Sequence, residues 1–473
     1  MGLIKPYNGY KGYSYLTPGE DYHAFELLDI GDGLFPQHPI PLDVQQEERA
    51  LRLAEELIFI SLHDHPNVRP KDMFQYYRAY CKEGRGVYDY EALSRSYWDC
   101  IFDNMLDGGC NMHSKCGWKW TEVIEDIGKR SCDIMHQDMV IRCEKVDDIY
   151  RAHREHKMAM VLVIEGAGPI ENELDRIEIL YGLGVRQMGI TYSESNYLGT
   201  GCKEPYEGGL TVFGRKAVER MNKVGMLIDV SHSSDQTMLD TIECSTKPVI
   251  ISHVGAKSVW NAKRMASDDV LRACADKGGI IGIEAAPHTT ISKAHPVHNI
   301  YSVMDHFEYV KNLVGIDHVS FGPDVTYADH CAVHKIISRE LGIAETHIDC
   351  QEVPYVAGIE NPTEASHNIL RYLIKAGYSD KDIEKVMGGN TLRVLKQVWA
   401  SPRCGTVRGQ PYPSRPTCRL EKGGTINCEA TVYRTRRRVI GTGTHTEKDG
   451  AAAAFLFRNR DTHKELPERR PVY

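Results

Sequence analysis

The sequence lacks any run of about 18 uncharged apolar residues, which leaves no candidate for a membrane-spanning helix. It has no surplus of positive charge either. With 57 basic against 65 acidic residues, the net charge of −8 argues against a chain built to grip nucleic acid or an anionic membrane. None of its 14 cysteines forms a CxxC pair, so free thiols in a reducing compartment are expected instead of a disulfide scaffold. The stretch Cys110-Asn-Met-His-Ser-Lys-Cys116 could bind a metal, but isolated small buried thiols are the plainer reading. The opening MGLIKPYNGYKGYSYL lacks the basic flank, apolar run and cleavage site of a secretory signal, and Pro6 stands where a myristoylation site requires Ser or Thr. A cytoplasmic protein is therefore expected. No GxGxxG follows a first strand, which removes the main support for an open dinucleotide-binding sheet.

What remains is the composition of a globular protein with room for a large core, 42% hydrophobic and 26% charged. Residues 1–45, rich in Tyr, Gly and Pro without periodicity, read as an extended arm. Residues 46–400 repeat one pattern of apolar run, polar tip and helical stretch. The runs are LIFISLHDH (57–65), MAMVLVIEG (158–166), VRQMGITYS (185–193), GMLIDVSHS (225–233), PVIISHVG (248–255), GGIIGIEAA (278–286) and HVSFGPD (318–324), with GGCNM (108–112) as a weaker eighth. Helical stretches such as 47–56, 214–223 and 268–277 separate them. Runs apolar on both faces fit parallel strands covered by helices, and eight of them predict a closed (β/α)8 TIM barrel whose strand tips meet at one mouth. Residues 401–473 carry a net charge of +8, leaving −16 on the rest, and read as an appended basic extension with no nucleic-acid role required.

The polar tips are of one chemical kind. His63 and His65 are two apart on a strand, so both imidazoles face one side while Asp64 faces away. Glu165, His232, His253 and Asp324 each follow an apolar run. Any one of these could be an ordinary hydrogen-bonded polar residue. Six of them from five strands point to metal, and four imidazoles with two carboxylates suit two divalent ions, with Glu165 as a bridge. Such a pair holds a bridging hydroxide and polarises an electrophile.

At this point the chain resembles the renal (membrane) dipeptidase family, the M19 metallopeptidases of the amidohydrolase superfamily. The resemblance runs over roughly residues 55–400, carried by GLTVFGRKAVERMNKVGMLIDVSHSS, KPVIISHVGAKSVWNAKRMASDDVLRACADKGGIIGI, HVSFGPD and GIENPTEASHNILRYLIKAGYSDKDIEKVMGGNTLRVLKQV. It implies a (β/α)8 barrel with two zinc ions, one held by the first-strand pair and Asp324, the other by His232 and His253, with Glu165 between them. It also implies a homodimer.

Two departures stand out. The family's first strand carries His-x-Asp where this chain has His63-x-His65, which leaves the centre about one unit more positive and favours anionic groups. A family histidine that contacts the reacting carbonyl is replaced by Tyr192, whose hydroxyl can donate to an oxyanion but cannot act as an imidazolium. Arg264, eleven residues after His253, matches the family arginine that binds the substrate carboxylate. Lys257, Lys263, Arg69, Asn196 and Tyr197 have weaker claims to the mouth. The expected function is metal-assisted hydrolysis of an amide in a small carboxylate-bearing molecule. Asp324 moves the proton, Tyr192 steadies the oxyanion and Arg264 holds the carboxylate. The alternatives are a specialised hydrolase or decarboxylase of a small non-peptide acid, or a non-catalytic metal-binding scaffold.

Overall fold

A segment such as Met158–Ile164, with no polar face, has to be covered on both sides, and all seven of its residues are buried. Its alternate residues part company. Met158, Met160, Leu162 and Ile164 pack into the layer shared with the helices, whereas Ala159, Val161 and Val163 join a second, inner cluster with Ile60, Leu62 and Phe102. The computed structural model describes residues 4–29, 34–104, 119–341, 350–399, 419–420 and 426–427.

The strands, in chain order, are β1 (Ile60–Val68), β2 (Val87–Tyr88), β3 (Cys100–Asn104), β4 (Val140–Arg142), β5 (Met158–Ile164), β6 (Val185–Gly189), β7 (Leu227–Asp229), β8 (Ile250–Val254), β9 (Ile280–Ile283), β10 (Val319–Phe321) and β11 (Thr326–Tyr327). They form one curled sheet in the order β10-β9-β8-β7-β6-β5-β3-β1-β11, with β2 beside β1 and β4 beside β5. Every ladder is parallel except that of β2 on β1. Past β10 the chain returns to β1: Asp324 N–H donates to the His63 carbonyl and His65 N–H to that of Val325, each at 2.9 Å. This is an α/β fold consistent with an amidohydrolase-like barrel.

All seven apolar runs read from the sequence contain a strand. The weak eighth run, 108–112, lies outside the described residues, as does the cluster from Cys110 to Cys116. The place between β1 and β5 is taken by β3, immediately upstream. Helices Asp175–Gly182, Val212–Val224, Asp235–Cys244, Asp268–Asp276 and Ile300–Val314 follow successive strands, and each packs against the next. Their ends are written locally. Thr211 caps Val212–Val224 by accepting from Gly214 N–H, and Gly225, at φ +88°, ends it in the left-handed region that glycine adopts without strain.

The N-terminal arm lies on this body. Tyr10 Oη and Tyr13 N–H both donate to Asp133 at 2.6 Å, and Ile40 N–H donates to Asn368. No helix among the described residues is long and apolar enough to cross a membrane. The chain divides into two units, Met1–Pro402 and Arg403–Tyr473. In the second, Arg419–Leu420 pairs antiparallel with Ile426–Asn427.

Candidate metal centre

The C-terminal ends of the strands carry the candidate ligands. His63 and His65 flank the midpoint of β1, Glu165 directly follows β5, His232 stands three residues past β7, His253 is in β8, and Asp324 stands three past β10. The strand before Glu165 can approach its neighbour because β6 ends in Gly189, where a Cβ would collide with the Glu165 carbonyl oxygen. His232 and Asp324 both sit at positive φ, +63° and +57°. For residues other than glycine this conformation costs about 1–3 kcal/mol and persists where the surroundings impose it, typically at functional sites.

All six donors converge. His65 Nε2 lies 2.9 Å from Asp324 Oδ1, and His63 Nε2 is 3.6 Å from the same oxygen and 3.7 Å from Glu165 Oε1. On the other side, His232 Nε2 and His253 Nε2 are 2.9 Å apart and lie 3.0 and 3.4 Å from Glu165 Oε1. Glu165 thus touches both groups, and Asp324 closes the first. Donors bound at about 2.0–2.2 Å around a tetrahedral ion sit about 3.3–3.6 Å from one another, and these spacings scatter about that range.

The protonation states suit cation binding. Burial, assisted by the Arg264 charge, holds His232 well below the ordinary imidazole value, and burial with the His63 and Arg264 charges does the same to His253. Both rings are therefore neutral, with lone pairs available. Burial works to raise Asp324, but its hydrogen bond with His65 and the charge of His63 prevail and hold it well below the usual range. Burial drives Glu165 the other way, well above it. Two carboxylates facing one cluster without a cation cannot both ionise cheaply, and a cation removes that conflict.

A second layer aims the rings. His253 Nδ1 meets Ser252 Oγ at 2.7 Å, and Ser252 in turn donates to Asp229, the last residue of β7. Asp229 also accepts from Ser231 N–H, Ser252 N–H and Gln187 Nε2. His232 Nδ1 meets Ser193 Oγ at 3.2 Å. Such contacts fix the tautomer that turns Nε2 toward a metal. Asp64 indeed turns away from the cluster: it accepts from Ser61 Oγ and from Val325 N–H, tying β1 to the returning chain.

Tyr192 places its ring 4.4 Å from that of His232, and burial pushes its hydroxyl well above the ordinary phenol value, keeping it a donor. Arg264 is buried beside His253, donating Nη2 to the His253 carbonyl at 2.9 Å. The same Nη2 lies 2.6 Å from Glu284 Oε2, so the guanidinium expected to offer an open two-point fork has one arm already taken. Of the weaker candidates, Lys257 pairs with Asp235, Lys263 donates to the Glu204 carbonyl, Asn196 braces its own loop and Tyr197 points to solvent.

Two residues escaped the sequence reading. Asn104, ending β3, donates to Glu165 Oε2 and lies 3.4 Å from His63 Nε2. Glu284, directly after β9, is fully buried, and one of its oxygens lies within 4.8 Å of ligand atoms of both His253 and Asp324. Its position at the end of the run GGIIGIE was a usable signal, the same one that singled out Glu165. Its charge also offsets the unit of positive charge that His65 adds. Burial pushes its carboxyl up to about 7 against the pull of Arg264.

Comparison with known proteins follows this geometry. The model of the membrane dipeptidase family (peptidase family M19) matches residues 52–334, a stretch that contains every residue of the cluster. The chain is 30% identical over 266 residues to dipeptidase tcpJ of Claviceps purpurea, covering 56% of each chain. It is 29% identical over 256 residues to dipeptidase 3 of Rattus norvegicus, covering 51% of this chain and 45% of the rat protein. The chain thus spans about half the length of these curated relatives. Among solved structures, an amidohydrolase from Pseudomonas aeruginosa superposes with a TM-score of 0.63 at 26% identity, covering 74% of this chain and 99% of the other.

Proposed function

The chain belongs to the membrane dipeptidase family, peptidase family M19, and from that premise we propose that it is a binuclear metal-dependent hydrolase that cleaves an amide bond in a small molecule. The observation that carries this reading is the convergence of four neutral or neutralisable imidazoles and two carboxylates, all buried, at donor spacings of 2.9–3.7 Å. In this proposal the sheet closes as a (β/α)8 barrel through the β1 contacts of residues 324–327. His63, His65 and Asp324 hold one ion, His232 and His253 hold the other, and Glu165 reaches both, with zinc as the metal. Two such ions, when bound, supply Lewis acidity at the carbonyl and acidify the attacking water.

The chain's own residues do the rest. Asp324, held ionised beside His65, takes the proton of the nucleophile and delivers it to the leaving nitrogen. The Tyr192 hydroxyl donates to the oxygen that gains charge. Asn104 fixes the Glu165 carboxylate, and the Asp229–Ser252 pair fixes His253. Arg264 and Glu284 face the leaving-group end. A cytoplasmic homodimer completes the proposal.

Metal analysis of protein purified without chelator, together with amine release from a dipeptide panel, tests this reading. Two ions per chain and amine release are expected. Carbon dioxide release without amine would replace hydrolysis by decarboxylation, and no stoichiometric metal would leave a scaffold.

A further inference from the structure

Glu284 directly follows β9, the strand that lies between β8, which carries His253, and β10, which leads to Asp324. The backbone clamps it there. Glu284 N–H donates to the Val254 carbonyl at 3.2 Å, and the next N–H, that of Ala285, donates to the Pro323 carbonyl at 2.7 Å. Its neighbours on the two sides are thus the residue after one candidate ligand and the residue before another. One Glu284 oxygen accordingly lies within 4.8 Å of ligand atoms of both His253 and Asp324, and the side chain is fully buried.

Other buried carboxylates close to the cluster show what a purely structural role looks like. Asp229 accepts from Ser231 N–H, Ser252 N–H and Gln187 Nε2, and Asp64 accepts from Ser61 Oγ and Val325 N–H. Protein donors fill their lone pairs. Neither Glu284 oxygen accepts a hydrogen bond among the described residues. Its charge is met by Arg264, whose Nη2 lies 2.6 Å from Oε2, but with neither oxygen hydrogen-bonded the two-point fork in which arginine saturates a carboxylate is not formed. A buried carboxylate with lone pairs to spare is costly unless something binds them, and a cation seated beside His253 and Asp324 does so.

The distribution of donors points the same way. In the binuclear reading above, on which this inference rests, one ion has His63, His65, Asp324 and a share in Glu165, whereas the other has only His232, His253 and that share. Glu284 supplies the carboxylate that the second ion lacks. We propose that Glu284 is a seventh ligand of the metal centre, binding the ion on His253, with Arg264 steadying the carboxylate from outside.

Zinc content and zinc affinity, measured by chelator competition, test this without turnover. Wild type should bind two ions. In Glu284→Gln one of them should weaken by more than about 100-fold, beyond the about 10–100-fold that loss of an outer partner costs, while the other is nearly unchanged. The same loss should persist between Arg264→Met and the double variant Arg264→Met/Glu284→Gln, because a ligand is missing whether or not the guanidinium is there. Unchanged affinity in Glu284→Gln overturns the inference and leaves the binuclear reading standing. So does recovery in the double variant to the affinity of Arg264→Met, which would make Glu284 only the counter-charge of the arginine. Should the variants not fold, a crystal structure of the zinc-loaded wild type decides: a Glu284 oxygen is expected about 2.0–2.2 Å from an ion, and both oxygens beyond about 3 Å from either ion overturn the inference. Wild type that binds no zinc defeats the metal-centre reading itself, and this inference with it.

Discussion

Two buried charged clusters meet at a single peptide bond in β3. Asp103 belongs to one of them. It receives Arg130 Nη1 on both oxygens at 3.1 Å and the Tyr88 hydroxyl on one, while Arg130 Nε reaches Asp126 at 3.1 Å. Asn104, the next residue, belongs to the other, with Glu165 and His63. In the first cluster the cation is a side chain of the protein, so the buried carboxylates have their counter-charge within the fold. In the second, four imidazoles and two carboxylates gather lone pairs, and the buried arginine beside His253, Arg264, is paired with Glu284. A buried cluster that supplies its own cation holds structure together. One rich in donors and poor in cations is arranged to receive a cation from outside.

The widest separation between the two should come from Asp324→Asn set against Arg130→Met. The first is expected to lower kcat by about 10²–10⁴ through loss of proton transfer, with weaker metal binding and little loss of folding stability. The second strands Asp103 and Asp126 as unpaired buried charges and should cost about 3–5 kcal/mol of stability in denaturant melts. Equal stability losses in the two variants would erase the distinction.

A smaller effect is expected from Ser252→Ala, which removes the link between Asp229 and His253. Metal affinity by chelator competition should fall about 10–100-fold, while the corresponding neutral change in the other cluster, Tyr88→Phe, should leave metal affinity unaltered.

The smallest concerns a buried carboxylate served by neither kind of cation. Glu360 accepts from Val356 N–H at 2.6 Å, and burial, reinforced by Asp329 and Glu364, raises it to about 9 from the ordinary 4.5. The folded value exceeds the unfolded one, so its contribution to stability is complete below pH 4.5 and is lost as the pH rises toward 9. Glu360→Gln should flatten the fall in Tm between pH 5 and pH 9. An unchanged slope would show that this group is not what titrates.

Much of the fold was readable because its signal is local. The runs that became β5 and β9 are apolar on both faces, and a strand of that kind requires a covered sheet whatever its partners. β3 was missed for the opposite reason. Its sequence CIFDN carries an aspartate that is tolerable only because Arg130, from the helix Trp120–Ile134, reaches it, and that pairing has no local signature. The ligand types at the strand tips were readable in the same way as the strands, from a polar residue ending an apolar run. Glu284 met that criterion too, but its meaning depends on Arg264, which arrives from another loop.

The order of residues alone thus settled which segments become buried parallel strands and which chemical groups stand at their ends, since both follow from an apolar run closed by a polar residue within a short length of chain. Only the tertiary structure decided which of those groups share an ion, that His232 and Asp324 are held in left-handed backbone conformations, and that Arg264 faces Glu284. Those outcomes depend on distances between segments far apart in the chain, and on a low-dielectric interior in which a charge is defined by its neighbours.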